Sequence, residues 1–121
     1  MVVDDNAVNR KMLSLTLERL GIRACLATNG AEALENLSRT AYDVILMDVQ
    51  MPVMDGLEAT RRIRRNLPRD AQPRIVAMTA GAFPEDRAHC LEAGMDDYVS
   101  KPVNVEELVQ ALRRVRPAVN A

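Results

Sequence analysis

Short apolar runs and segments of helical period alternate along the whole chain. The runs Met1–Val3, Arg23–Ala27, Val44–Met47, Arg74–Met78 and Tyr98–Ser100 are mostly apolar throughout and are bounded by polar or turn residues. Strands buried on both faces read this way, whereas a strand with one wet face would alternate. Between the runs the period lengthens. Leu13, Leu17 and Leu20 stand at i, i+4 and i+7 in the first such segment, and Gly21 follows where a helix C-terminus favours glycine. Ala31, Leu34 and Leu37 mark a second helix. A third runs from about Gly56 to Arg65, and a fourth from about Pro84 to Ala93, stopped by Gly94. The fifth sets Val105, Leu108, Leu112 and Val115 on one face, with Asn104 as its cap and Glu107 three residues on, as in a capping box.

Five β–α units this short imply a parallel sheet with helices on both faces, joined by right-handed crossovers. Sites in such sheets lie beyond the carboxyl ends of the strands, near the point where strand order reverses. Residues with chemistry should therefore fall just after the strands. Asp4 and Asp5 follow the first, Asp48 the third, Thr79 the fourth and Lys101 the fifth. Each has a plain structural explanation on its own. Asp4 and Asp5 suit a helix N-terminus, Asp48 could cap a turn, and Lys101-Pro102 could be a simple loop. Their conjunction at successive strand ends is what points to chemistry.

Three clustered carboxylates repel one another unless a cation neutralises them. A hard divalent ion with oxygen ligands suits the set, Mg2+ first and Mn2+ as the alternative. A carboxylate is also a nucleophile toward phosphorus and forms an aspartyl phosphate. That reaction needs positive charge on the equatorial oxygens, from a metal and a lysine, together with a hydroxyl donor. Every one of those groups is present.

Composition narrows the picture. A chain of 121 residues is the size of one domain, and we expect it to span residues 1–117, with 118–121 as a C-terminal tail. Aromatics are only 2%, so the core must be aliphatic, with seven methionines available to it. Sixteen basic against seventeen acidic residues give no bulk attraction for nucleic acid. The arginine clusters at Arg61, Arg62, Arg64 and Arg65 and at Arg113, Arg114 and Arg116 fall late in predicted helices, where cations suit the dipole and a solvated face is expected. Cys25 and Cys90 have no metal-binding spacing, and His89 is the only histidine. With no signal peptide and no apolar run near the roughly 20 residues that cross a bilayer, reduced thiols and a cytoplasmic location are expected.

The chain resembles the response-regulator receiver family of two-component signalling. The resemblance is carried by Val3-Asp4-Asp5-Asn6, by Met47-Asp48-Val49-Gln50-Met51-Pro52-Val53-Met54-Asp55-Gly56, by Met78-Thr79-Ala80 and by Tyr98-Val99-Ser100-Lys101-Pro102, and it covers practically the whole chain. It implies a flavodoxin-like, doubly wound (βα)5 fold with strand order 2-1-3-4-5. It implies Asp48 as phosphoacceptor, Asp5 as a direct Mg2+ ligand beside Asp48, Asp4 acting through a metal-bound water, and the Gln50 backbone carbonyl as a further ligand. Lys101 would pair with the phosphoryl group, Thr79 would hydrogen-bond it, and the small Ala80 would leave room for the donor. The Lys101-Pro102 bond would be cis. On phosphorylation Thr79 would move inward and the Tyr98 ring would fill the vacated space, a modification switch of the usual two-state form.

The segments Asp5-Asn6-Ala7-Val8-Asn9-Arg10, Leu20-Gly21, Asn29-Gly30-Ala31-Glu32-Ala33-Leu34 and Gly56-Leu57-Glu58-Ala59-Thr60 look like receivers attached to hybrid sensor kinases. The implied partner is a histidine kinase or a histidine phosphotransfer domain, and the implied location is the cytoplasmic part of such a kinase. His89 lacks the helical-bundle setting of a phosphotransfer histidine. Val8, Met12 and Leu15 form a second apolar stripe on the first helix, open either to a partner helix or to the fifth helix. Only Met1, Val2 and Val3 precede the first carboxylates, a short lead that would weaken the first strand. Rival readings fare worse. A phosphatase with an aspartate nucleophile would need a second aspartate where Gln50 stands, and a nucleotide or flavin module would need a Gly-rich loop where Asp4-Asp5-Asn6 stands. A phosphate-independent receiver-like interaction module is the remaining alternative, and the complete residue set argues against it.

Overall fold

The computed structural model describes residues 1–22, 24–40, 42–49, 51, 54–79, 84–100 and 104–113. Its elements are β1 (Val2–Val3), α1 (Ala7–Arg19), β2 (Leu26–Ala27), α2 (Gly30–Arg39), β3 (Val44–Asp48), α3 (Gly56–Asn66), a 3-10 turn (Arg69–Ala71), β4 (Arg74–Thr79), α4 (Pro84–Ala93), β5 (Asp97–Ser100) and α5 (Val105–Arg113). The five strands are all parallel, in the order β2-β1-β3-β4-β5. This is the flavodoxin-like arrangement expected from the sequence. Residues 114–121, and with them Val115 and the expected tail, lie outside the described part.

The unbroken apolar runs follow from burial on both faces. In β3 and β4, Ile45, Met47, Ile75 and Ala77 point into one aliphatic layer with Ala33, Leu37, Ala59, Ile63 and Cys90 of α2, α3 and α4. Leu46, Val76 and Met78 point the other way, against Leu13 and Leu17 of α1 and Leu108 and Ala111 of α5. At about 25 cal/mol per Å2 of apolar surface removed from water, such double burial dominates the stability of the sheet.

Local chemistry sets the helix starts. Asn6 accepts the Val8 and Asn9 N–H groups, Asn29 that of Glu32, Asp55 that of Glu58 and Asn104 that of Glu107. Gly21 and Gly94 follow α1 and α4 with φ of 81° and 107°, the left-handed geometry that lets each helix stop.

Several details differ from the sequence-based expectation. Strand β2 begins only at Leu26, where the run from Arg23 was expected to pair, and β5 begins one residue early, at Asp97. Strands β3 and β4 each run one residue further than predicted, so Asp48 and Thr79 are their last residues, not the first residues after them. The predicted α1 seam ends at Leu17: Leu20 caps the helix and is exposed, and Ile22 beyond the Gly21 turn packs in its place. Val105, the first residue of α5, likewise stands clear of the core, where Leu108 and Ala111 carry the packing.

Arg64 departs furthest from expectation. Where a solvated arginine was predicted, its guanidinium donates to the Gly94 carbonyl (2.8 Å), Gln72 Oε1 (2.7 Å), the Pro73 carbonyl (2.8 Å) and Asp96 Oδ2 (2.7 Å). Asp96 Oδ2 also accepts the Ile75 N–H at 2.8 Å. One side chain thus ties the end of α3 to the start of β4 and to the turn after α4. Arg61, Arg62 and Arg65 do lie on a solvated face, sharing Glu58.

Candidate functional site at the carboxyl edge of the sheet

The carboxyl ends of β1, β3 and β4 bring Asp4, Asp5, Asp48 and Thr79 to one edge of the sheet. Register does the placing. Val3 pairs with Met47, so Asp4 leaves β1 level with Asp48 at the end of β3. Asp48 pairs in turn with Met78, and the Val49 N–H reaches the Met78 carbonyl at 3.2 Å, which sets Thr79 beside it. One carboxylate oxygen from each of Asp4, Asp5 and Asp48 lies within 4.8 Å of the others. Asp4 (1% exposed), Asp48 (3%) and Thr79 (8%) are buried, while Asp5 is exposed at the mouth of the site.

The loop after β1 is held by its own side chains. Asp4 Oδ1 accepts the Asn6 N–H at 2.9 Å while Asn6 caps α1, so carboxylate and helix start form one unit. The Arg10 guanidinium, one turn into α1, donates to the Asp4 carbonyl at 2.7 Å. Nothing in its local spacing assigns Arg10 a role, and only the folded loop shows that it reaches back. On the other side, α3 begins against Asp48. A Cβ on Gly56 would overlap the Asp48 carbonyl oxygen and come within 3.0 Å of its carbonyl carbon. Glycine lets the helix start this close, and the Gly56 N–H then donates to the Val49 carbonyl at 2.9 Å.

Tyr98 lies in β5, paired with Ala77 of β4, two residues before Thr79 in that strand. Its half-buried ring packs at the margin of the aliphatic layer under α4, and the Arg87 guanidinium of α4 sits 4.5 Å from the ring centroid. Nothing in the sequence singled out Arg87, because the pairing joins α4 to β5 across the fold. The structure therefore brings together Asp4, Asp5, Asp48 and Thr79 and places Tyr98 one strand further on. Gln50, Ala80, Lys101 and Pro102 lie outside the described residues. His89 is an exposed residue of α4.

Three carboxylates, two buried and one exposed, at the switch point of a doubly wound sheet form a donor set that suits a hard cation. Family comparison agrees with that class. Residues 1–113 match the response regulator receiver domain, and the chain belongs to that family, the phosphoacceptor module of two-component signalling. It is 44% identical over 115 residues to the sensor histidine kinase RcsC of Salmonella typhi, covering 93% of this chain and 12% of the kinase, so it spans a small part of that curated relative. Among solved structures it is similar to the receiver domain of sensor histidine kinase PA1611 from Pseudomonas aeruginosa, which was solved with a magnesium ion in its active-site cleft. That match has 42% identity and a TM-score of 0.85, over 94% of this chain and 93% of that one. It is also similar to the complex of the Saccharomyces cerevisiae phosphotransfer protein Ypd1 with the Ssk1 receiver domain, at 32% identity and a TM-score of 0.87, over 94% of this chain and 85% of that one. Among the described residues, no helix is long and apolar enough to cross a membrane.

Proposed function

We propose that this domain takes a phosphoryl group from a phosphohistidine onto Asp48, in a Mg2+-dependent reaction, as the receiver of a hybrid sensor kinase or of its relay. The observation that carries the reading is the set of three carboxylates within 4.8 Å at the edge of this fold, with Thr79 on the adjoining strand end. Asp48 is the member that a β-strand holds rigidly between two neighbours, which suits a nucleophile. Its carboxylate oxygen attacks phosphorus, the N–P bond of the donor breaks, and the imidazole leaves with the electron pair and takes up a proton.

The donor set fits the metal: all hard oxygens, two of the three residues buried, one exposed at the entrance. Asp5 and Asp48 would hold Mg2+ directly with the Gln50 carbonyl, and Asp4 through a bound water. When bound, the ion supplies positive charge against the phosphoryl oxygens. Lys101 adds a second positive charge at the same oxygens, and the Thr79 hydroxyl donates to one of them. The inward pull on Thr79 makes room for the Tyr98 ring, so that the phosphorylation state is read out at the α4–β5 surface.

The partner in this reading is the helical surface of a histidine kinase or phosphotransfer domain, docking on α1. Val8, Met12 and Leu15 are 66%, 62% and 46% exposed, and their helix starts directly after Asp5 and Asn6. The site and the apolar stripe thus share one edge, and the Ssk1 receiver was solved bound to such a partner. The parent protein would then place this domain in the cytoplasm.

The test is intact-mass measurement after incubation with Mg2+ and acetyl phosphate, beside Asp48→Asn. A base-labile gain of one phosphoryl group, absent from the variant, supports the reading. A folded domain that binds Mg2+ but gains nothing, either from acetyl phosphate or from a phosphorylated transfer domain, would be a phosphate-independent interaction module instead.

A further inference from the structure

Arg87 of α4 packs on the aromatic ring that the proposed switch would move. Its guanidinium lies over the Tyr98 ring at 4.5 Å from the centroid, on the side where Arg87, Tyr98, Asp97, Glu107 and Gln110 line an open groove between α4 and α5. A ring held here has its π-face occupied by a cation anchored on another element. Moving toward Thr79 would take it out from under that cation. We infer that Arg87 acts as a positioning residue, a latch that holds Tyr98 in its groove-facing orientation and so sets how readily the domain adopts the phosphorylated form.

This rests on the phosphoacceptor reading and adds to it the residue that tunes the switch. The reasoning is one of differential contact. An interaction made in one state and lost in the other shifts the equilibrium by its own strength. An exposed cation–π pair is worth about a twofold to fivefold change in that equilibrium. Arg87 is exposed and takes no part in the core, so replacing it leaves the fold intact.

The chain suits a direct test, since Tyr42 and Tyr98 are its only tyrosines and it has no tryptophan. Ring-labelled tyrosine in the intact chain, with Mg2+ and no phosphoryl group, reports Tyr98 through its NOEs, with Tyr42 as the internal control. In Arg87→Met, which keeps the reach and loses the charge, the Tyr98 ring should gain NOEs to the Thr79 methyl group. Beryllofluoride, a mimic of the phosphoryl group, should bind about two to five times more tightly than to wild type. Arg87→Lys keeps a cation and should stay near wild type in both measurements.

The inference is overturned if Arg87→Met leaves ring contacts and affinity unchanged. It is also overturned if Arg87→Lys matches Arg87→Met, since the side chain would then only cover the ring. Should the wild-type domain refuse beryllofluoride while the Tyr98 ring still moves in Arg87→Met, the latch stands and the phosphoacceptor reading is what fails.

Discussion

Replacing Gly56 by alanine adds one methyl group at the point where α3 meets the proposed nucleophile. The new Cβ would overlap the Asp48 carbonyl oxygen and lie 3.0 Å from its carbonyl carbon and 2.9 Å from Met47 Cγ. Carbon atoms pack at about 3.5–4.0 Å. The Met47 side chain can give way, but the Asp48 main chain belongs to a strand paired on both sides. The start of α3 must therefore back off by about 1 Å, stretching the bond from the Gly56 N–H to the Val49 carbonyl. Overpacking of this kind costs about 1–3 kcal/mol. The segment between Asp48 and Gly56 carries Gln50, so the displacement should also slow phosphoryl labelling per folded molecule by about tenfold or more, as ångström misplacements do. Urea unfolding and acetyl-phosphate labelling read the two effects separately. Gly21→Ala is the control. No atom lies within 4 Å of its added Cβ, but its φ of 81° costs about 1–2 kcal/mol, with labelling unchanged. If Gly56→Ala unfolds at the wild-type urea midpoint and labels at the wild-type rate, the close approach of α3 to Asp48 is not a constraint, and this account of the site is wrong.

Three further outcomes follow from named contacts. Arg64→Lys cannot reproduce a fork that donates to four acceptors, and it should lower stability by about 2–4 kcal/mol after allowance for partial exposure; Arg65→Lys should change it by less than about 0.5 kcal/mol, and equal midpoints in urea would refute the clamp. Met12→Asp should slow transfer from a phosphorylated partner about tenfold or more while acetyl-phosphate labelling stays at the wild-type rate; equal loss in both assays would mark a folding defect and remove the case for α1 docking. Exposed Cys25 should react with iodoacetamide in the native state, whereas Cys90 should react only on unfolding, because burial first and Asp86 second push its thiol pKa up; mass mapping of early modification at Cys90 would contradict its packing under α4.

Much of this was legible in the sequence, for reasons that differ by element. The strand centres were readable because β3 and β4 are covered on both faces and so carry runs with no polar interruption. The helix starts were readable where a side chain does the work locally, as Asn104 does for Glu107. The ends of β3 and β4 were not, because whether Asp48 and Thr79 still pair depends on a neighbouring strand that periodicity does not reveal. Leu20 and Val105 misled for a related reason. A helix's terminal turns overshoot the surface they pack on, and only the partner's extent shows where the seam stops.

Arg64 and Arg87 show the harder limit. Both are arginines on helices among other charges, and nothing in their local spacing separates them from Arg61 or Arg65. What distinguishes them lies some thirty residues on in the case of Arg64 and Asp96, and across α4 and β5 in the case of Arg87 and Tyr98. The two also sit in different relations to the site. Arg64 binds four acceptors on two segments, the loop before β4 and the turn after α4, so its contacts tie elements of the fold together and contribute to stability. Arg87 has an aromatic partner that is the proposed switch residue, so in that proposal its contact is made in one state and lost in the other. The carboxylates were legible because chemistry demands their residue types at strand ends. A residue that tunes the response needs only to favour one state over another, and many side chains can do that from many positions. Regulation is therefore where sequence reading runs out first in this domain, and where the geometry of a single pair adds most.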